Sequence, residues 1–230
     1  YIFRFKYYRL ITGKADHMYQ NATFIPLTTT TGEVSHICII IYDVTDVAIS
    51  KMELEEANKE LKRLSQTDRL TNLNNRGYWE ECLLKEFQRQ RRTHHISSLL
   101  IFDIDHFKKI NDIHGHLIGD RALRAVAEVI KPLLRKSDTL ARFGGEEFTI
   151  ILPFTPIDGA RFKAREIFSK MAEAQIVHNH SSVDQYVTLS IGISCSSHSA
   201  IDEGELVSQA DKALYHAKSQ GRKCYKIYEG

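Results

Sequence analysis

The first 46 residues carry the pattern of strands. Phe24-Ile25-Pro26-Leu27 precedes a Thr-rich turn closing at Thr31-Gly32, and Val34 to Tyr42 follows as a strongly β-branched run. The two runs predict an antiparallel hairpin. A hairpin alone is marginal in water, so these strands are expected to belong to a larger sheet. Asp43-Val44-Thr45 then makes a polar break before a helix. Over residues 47–66, Val47, Leu54, Ala57, Leu61 and Leu64 fall on heptad a and d positions, with Ser50 the polar exception and charged side chains on the other faces. So short a repeat fits a coiled-coil connector and an amphipathic helix on its own domain equally well.

From residue 67 onward helical and strand periodicities alternate. A helix from about Arg76 to Arg92 leads into the apolar strand Leu99-Leu100-Ile101-Phe102, and a helix around Arg121 to Leu134 precedes Thr139-Leu140-Ala141-Arg142-Phe143. Gly144-Gly145 turns the chain into Phe148 to Leu152, a two-glycine hairpin. A helix over roughly Gly159 to Glu173, a strand from Val187 to Ser194 and a last helix from Glu205 to Lys218 complete the pattern. The order βααββαβ with a central hairpin predicts an α+β fold, a sheet covered by helices. The chain therefore divides into 1–46, 47–66 and 67–230. Domains usually run to about 100–200 residues, so this amounts to a partial domain, a connector and one complete domain.

Composition narrows the partners. Lys+Arg number 31 against 29 Asp+Glu, a net charge of +2, which argues against a broad basic footprint for nucleic acid. The longest apolar run, Ile37 to Tyr42, falls far short of the ~20 residues that span a bilayer. The chain opens at Tyr1 without Met, so membrane contact is expected only through a segment upstream. Cys38, Cys82, Cys195 and Cys224 lack C-x-x-C spacing and are expected to be reduced thiols of a cytoplasmic protein. His94-His95, in a polar loop beside Arg91-Arg92, is expected to be solvated.

The carboxylates carry the chemistry. Asp103 and Asp105 stand where the strand from Leu99 ends and alternate with Ile104, so both should point to one face. Glu146 and Glu147 follow the Gly144-Gly145 turn of a hairpin that would pair beside that strand. Acids at a strand end facing acids at a hairpin tip suit a hard divalent cation such as Mg²⁺, which is held by carboxylates together with substrate phosphates. Two such ions serve phosphoryl transfer. Glycines without a Cβ let backbone N–H groups approach phosphate oxygens. Taken singly, each acid would read as a solvated strand end; the run Gly144-Gly145-Glu146-Glu147-Phe148 between two apolar strands is the specific feature.

That run resembles the signature of the GGDEF-domain diguanylate cyclases. The resemblance covers about residues 67–228 and holds in order. Asp68-Arg69-Leu70-Thr71-Asn72-Leu73 with Asn75-Arg76 opens it. Asp103-Ile104-Asp105-His106-Phe107-Lys108 follows, running through Asn111-Asp112 and His114-Gly115-His116 to Gly119-Asp120. Ser190-Ile191-Gly192-Ile193 comes next, and Ala210-Asp211-Lys212-Ala213-Leu214-Tyr215 with Lys218 and Gly221-Arg222 closes the set. The resemblance implies a palm-like, mostly antiparallel sheet and condensation of two GTP into cyclic di-GMP with release of two pyrophosphates. By the same resemblance, Asp103, Glu146 and Glu147 hold two Mg²⁺ or Mn²⁺ ions with help from the Ile104 carbonyl, and either glutamate could instead assist deprotonation of the attacking 3′-hydroxyl. Asn111 and Asp120 match the positions that read guanine, a role a carboxamide and a carboxylate can fill. Lys108, Lys218 and Arg222 match phosphate-binding positions, with His116, Gly144 and Gly145 also on the substrate side. Lys218 and Arg222 are four apart and would share one side of a helix extended through its last turn.

Arg135-Lys136-Ser137-Asp138 is an R-x-x-D five residues before Gly144, the offset at which the family carries its inhibitory site, so Arg135 and Asp138 are expected to bind product. Departures from the family pattern are mild: Gly77 for an arginine, Trp79 for Phe, Asn72 for a frequent Gly, and Glu146 for Asp. Residues 1–46 resemble the C-terminal half of a PAS sensor domain, and in that context the heptad helix is expected to be a parallel dimeric connector. One domain binds one GTP, so the implied reaction requires a homodimer. Two rivals remain: a catalytically inactive GGDEF receptor for GTP or cyclic di-GMP, and another palm enzyme such as an adenylate cyclase or polymerase.

Overall fold

The computed structural model describes residues 2–6, 17–178, 183–196 and 202–229. The chain forms two compact units, Tyr1–Ser65 and Gln66–Gly230. In the first, β1 (Ile2–Lys6), β2 (His17–Thr28) and β3 (Val34–Asp43) form an antiparallel sheet in that order. The hairpin expected around Thr31-Gly32 joins β2 to β3. It is closed by Thr29 N–H donating to the Glu33 carbonyl at 2.7 Å, with Gly32 at φ +85°. Phe24, Ile37, Ile39 and Ile41 remain more than half exposed, an apolar surface that three strands leave uncovered.

Helix α1 (Thr45–Gln66) starts on a hook. Asp43 Oδ1 accepts from Thr45 N–H at 3.0 Å and from its hydroxyl at 2.6 Å, while Tyr19 N–H of β2 donates to Thr45 Oγ1 at 3.0 Å. Asp43 thus caps the helix, and Thr45, buried, ties its first turn to the sheet. Beyond it Val47, Leu54 and Leu61, spaced by seven, are exposed at 69%, 61% and 63%.

The second unit runs α2 (Arg76–Thr93), β4 (Ser98–Ile104), α3 (Phe107–His114), α4 (His116–Ile130), a 3₁₀ turn at Lys131–Leu133, β5 (Thr139–Gly144), β6 (Glu147–Leu152), α5 (Ile157–Ala174), β7 (Leu189–Cys195), α6 (Glu203–Ser219) and β8 (Tyr225–Ile227). From β4 to β7 this is the order βααββαβ. The strands form one sheet in the order β5-β6-β4-β7-β8, antiparallel except for the β7–β8 edge pair.

β4 is buried along its whole length, and its alternation sorts the core onto two faces. Leu100, Phe102 and Ile104 pack with Ile110, Leu123, Val126 and Ile167 under α3, α4 and α5. Leu99 and Ile101 pack with Trp79, Leu83, Leu206 and Leu214 under α2 and α6. Each such burial stabilises the unit by about 1.5–3 kcal/mol relative to exposure.

Three features depart from the sequence pattern. Helix α3 occupies Phe107–His114, the helix of the predicted order for which the sequence pattern gives no bounds, and α4 begins at His116 rather than near Arg121. The His95 side chain is largely shielded, 8% exposed, rather than solvated. Its Nε2 lies 2.6 Å from Glu86 Oε1, and its ring stacks on Phe154 at 3.8 Å between centroids. Asn72, standing where the resembled family often has Gly, adopts φ +53°, a left-handed conformation that Asn tolerates better than most residues.

Candidate active site

The site forms where β4 ends. Asp103 continues the face of Leu99 and Ile101 toward α6, and it pairs in register with Glu147 of β6. Gly144 pairs with Glu147, so the two loop residues of the hairpin are Gly145 and Glu146, one position later than the Gly-Gly turn expected. Gly145 has φ +52°, the conformation that favours glycine at such a turn. A Cβ on either Gly144 or Gly145 would meet nothing within 4 Å, leaving open space over the hairpin backbone. Glu146 thereby stands at the tip, its carbonyl facing the Ile104 N–H at 3.4 Å.

Lys218, in the last turn of α6, reaches across this end of the sheet and places Nζ 2.8 Å from Asp103 Oδ2. Burial pushes the Asp103 carboxyl up to about 6; Lys218 pulls the other way, and Glu146 and Glu147 add to the rise. Glu146 is raised for the same reasons, burial first, with Lys218 opposing and Glu147 reinforcing. Three carboxylates and one ammonium thus share this end of the sheet.

Asp105 has a different task. Its carboxylate accepts from the hydroxyls of Thr188 at 2.7 Å and Ser190 at 2.6 Å, and from Lys223 N–H at 3.1 Å. It is 1% exposed and ties the end of β4 to β7 and to the segment after α6. The two aspartates that alternate in sequence therefore divide into one facing the acidic cluster and one serving the framework.

Arg142 is the residue that the sequence reading passed over. Its Nε and Nη2 donate to the Gly145 carbonyl at 2.9 and 2.7 Å, and its Nη1 reaches Asp68 at 3.2 Å. Asp68 also accepts from Thr71 N–H and Oγ1 at 2.9 and 2.7 Å. Burial works against that charge, yet the Thr71 and Arg142 contacts hold its carboxyl below the ordinary value. The hairpin tip is thereby anchored to the turn before α2. The only signal in the sequence was the position of Arg142, two residues before the Gly-Gly pair.

Asn111 lies against Gly119, the residue before Asp120. A Cβ at Gly119 would lie 2.0 Å from Asn111 Oδ1 and 3.1 Å from the Phe107 ring, so a side chain there would displace the Asn111 carboxamide. Lys108 and His116 stand exposed near the starts of the same two helices. Arg222 does not share a helix face with Lys218. Helix α6 stops at Ser219, Gly221 and Arg222 take φ +103° and +64°, and Arg222 N–H returns to the Ala217 carbonyl at 3.1 Å. Arg222 instead lies near enough to His106 to lower its pKa, secondary to burial.

Away from this end, Arg135 and Asp138 close a tight turn. Asp138 Oδ2 accepts from Arg135 N–H at 2.9 Å, and Asp138 N–H donates to the Arg135 carbonyl at 3.0 Å. Both line a cavity of about 300 Å³ with Asn72, Asn74, Lys131 and Lys136.

The donor chemistry fits a hard cation: Asp103, Glu146 and Glu147 offer carboxylate oxygens, and the Lys218 ammonium stands in as positive charge against Asp103. Among the described residues, no three His, Cys, Asp or Glu side chains are close enough to hold an ion as they stand.

Comparison with known proteins gives a consistent picture. Residues 65–224 match the family described as diguanylate cyclase, GGDEF domain. A probable diguanylate cyclase of Escherichia coli, DgcE, is 35% identical over 207 residues, which is 89% of this chain and 18% of that protein. Diguanylate cyclase DgcS of Shewanella oneidensis is 34% identical over 174 residues, 74% of this chain and 55% of that protein. The chain spans less than half the length of several curated relatives it matches. Among solved structures, the coiled coil and GGDEF domain of DgcB from Caulobacter crescentus, in complex with c-di-GMP, aligns with a TM-score of 0.73 at 28% identity, covering 80% of this chain and 96% of that one. The active GGEEF domain of a diguanylate cyclase from Vibrio cholerae aligns with a TM-score of 0.61 at 32% identity, covering 69% and 98%.

Proposed function

The chain belongs to the diguanylate cyclase GGDEF-domain family, and on that premise we propose that it condenses two GTP into cyclic di-GMP, with each unit of a homodimer holding one GTP. The observation that carries this reading is the cluster at the end of β4: Asp103 paired with Glu147, Glu146 at the adjoining tip, and Lys218 within 2.8 Å. A site retained only for binding would have no need of three carboxylates gathered at a strand end against their mutual repulsion.

In this mechanism Asn111 and Asp120 hold the guanine edge, Lys108, Lys218 and Arg222 hold phosphate oxygens, and the open backbone at Gly144 and Gly145 lets the triphosphate lie close, with His116 on the same side. Asp103, Glu146, Glu147 and the Ile104 carbonyl would hold two Mg²⁺ or Mn²⁺ ions per site. Such ions, when bound, make the 3′-hydroxyl more acidic and neutralise the departing pyrophosphate. The 3′-oxygen of one GTP bonds to the α-phosphorus of the other, and the bond from that phosphorus to the bridging oxygen breaks. Glu146 or Glu147 accepts the hydroxyl proton, and pyrophosphate leaves with the electron pair. The same step repeated in the opposite sense closes the ring. Incubation with GTP and Mg²⁺ should yield cyclic di-GMP by chromatography. Binding of GTP without that product would instead make the chain a receptor.

Residues 1–46 act as part of a PAS sensor, which accounts for the apolar sheet surface left uncovered at Phe24, Ile37, Ile39 and Ile41. Residues 47–66 act as a coiled-coil connector through the exposed Val47, Leu54 and Leu61, and residues 67–230 form the catalytic domain. No helix among the described residues is long and apolar enough to cross a membrane. Consumption of GTP assigns the catalytic unit to the cytoplasm. Arg135 and Asp138 bind product and give feedback inhibition, a reading supported by the cavity they line.

A further inference from the structure

We propose a second anion site, for an oligophosphate of the nucleoside di- or triphosphate class, in the groove between α5, α6 and β8. The groove is a cavity of about 550 Å³, within the roughly 300–1,000 Å³ usual for small-molecule sites. Three elements send cations into its wall: Arg161 and Arg165 from α5, Lys212 from α6 and Lys226 from β8. His216 lines it one turn beyond Lys212, and Glu229 is the carboxylate in the lining. Four fixed positive charges against one negative is a local excess in a chain whose totals nearly cancel. Arg161 is partly offset by Asp158, 3.4 Å away and outside the lining.

The wall is also ordered and flat in part. Arg165 commits its Nε to Tyr225 Oη at 3.2 Å, which fixes the plane of the guanidinium, and Tyr225 is itself stacked on Phe168. Lys212 Nζ lies 5.9 Å from the centre of the Tyr228 ring. A planar guanidinium and an ammonium converging from different elements suit the spread charge of an oligophosphate better than a single carboxylate. The two tyrosines offer apolar surface to an attached base.

This groove is separate from the sites already described. His216 and Lys218 are two residues apart on α6, roughly 200° around its axis, so Lys218 serves the carboxylate cluster from the opposite flank. None of the residues lining the cavity of Arg135 and Asp138 recurs here. Neither the guanine positions nor the metal positions of the proposed cyclase take part, and the inference does not depend on that activity.

The test is calorimetric titration of the intact chain in EDTA, without turnover, using inorganic pyrophosphate and ADP as probes. Binding of at least one is expected, weakened roughly tenfold or more by Arg165→Glu with Lys212→Glu. Equal affinity for the two probes assigns the site to bare oligophosphate. Tighter ADP binding that Tyr228→Ala abolishes assigns it to a nucleotide. Should the charge-reversed chain fail to fold, Arg165→Gln with Lys212→Gln and amide chemical-shift mapping on the wild type supply the same readout. No binding by the folded wild type, binding that survives the groove substitutions, or shifts confined to the Asp103 cluster would each overturn the site.

Discussion

Gly119 has no side chain because Asn111 occupies the space one would fill. Gly119→Ala leaves the backbone conformation legal but drives Asn111 Oδ1 from its place, and Asn111 is half of the proposed guanine contact. The expected result is a KM for GTP raised roughly tenfold, the worth of one displaced hydrogen bond, with a smaller change in kcat. Steady-state kinetics checks it, and an unaltered KM would remove Asn111 from recognition. Asp103 makes a second prediction. Its folded value of about 6 lies above its unfolded one, so the group favours folding while protonated and loses that contribution as pH rises from about 4 through about 6. His178, buried and held below the ordinary imidazole value by desolvation, works in the opposite sense over overlapping pH. The comparison is therefore wild type against Asp103→Asn in EDTA: wild-type Tm should fall relative to the variant across that window. Parallel curves would show that Asp103 carries no such strain. With Mg²⁺ present the sign should reverse, because the metal binds the deprotonated cluster.

At the scale of elements, Gly192 decides where α6 lies. A Cβ there would come within 2.0 Å of the Ala210 carbonyl and 2.3 Å of Leu214 N, both backbone atoms with nowhere to move. Gly192→Ala should destabilise the fold by about 1–3 kcal/mol or more, read by denaturant unfolding. Wild-type stability would mean that α6 has slack at this contact. Because Lys218 is one turn beyond Leu214, surviving folded protein should also turn over poorly. Much of this level was readable from sequence. The apolar strand into Asp103, the Gly-Gly-Glu-Glu-Phe hairpin and the alternation of helix and strand all appear in the structure. The bounds of helix α3 were not readable, because its eight residues are too few to establish a period. The start of α4 was obscured by Gly115 and Gly119, which look like loop residues until the close approach to Asn111 is seen. His95 found its partner in Glu86, nine residues upstream on another element, and Arg142 found Asp68 across 74 positions. Contacts of that kind are products of the fold and leave no local pattern. The shared helix side expected for Arg222 and Lys218 fails because the i, i+4 rule holds only while the helix continues, and α6 stops first.

For the whole molecule, the proposed reaction needs two chains and a brake. Leu54→Asp with Leu61→Asp should lower specific activity at low protein concentration and restore it at high concentration, with light scattering reporting the shift toward monomer. Full activity in a monomeric variant would end the role assigned to α1. Arg135→Ala should raise the cyclic di-GMP concentration needed for half inhibition by roughly tenfold or more without altering the initial rate. An unchanged inhibition curve would clear the Arg135–Asp138 cavity of that function.

The hook at the start of α1 acts as a setting on a dial. Asp43 and Tyr19 hold Thr45 from two sides, so the azimuth of the first helical turn is fixed against the sheet, and every later residue advances that azimuth by about 100°. Val47, Leu54 and Leu61 therefore face one compass direction relative to β2. One residue inserted just after Thr45 would swing that stripe about 100° away from its bearing, while seven would bring it back to within about 20°. If the sheet conveys its state by turning the connector, turnover should oscillate with insertion length at the period of the helix. A steady decline with length would mean that the stripe transmits nothing but proximity.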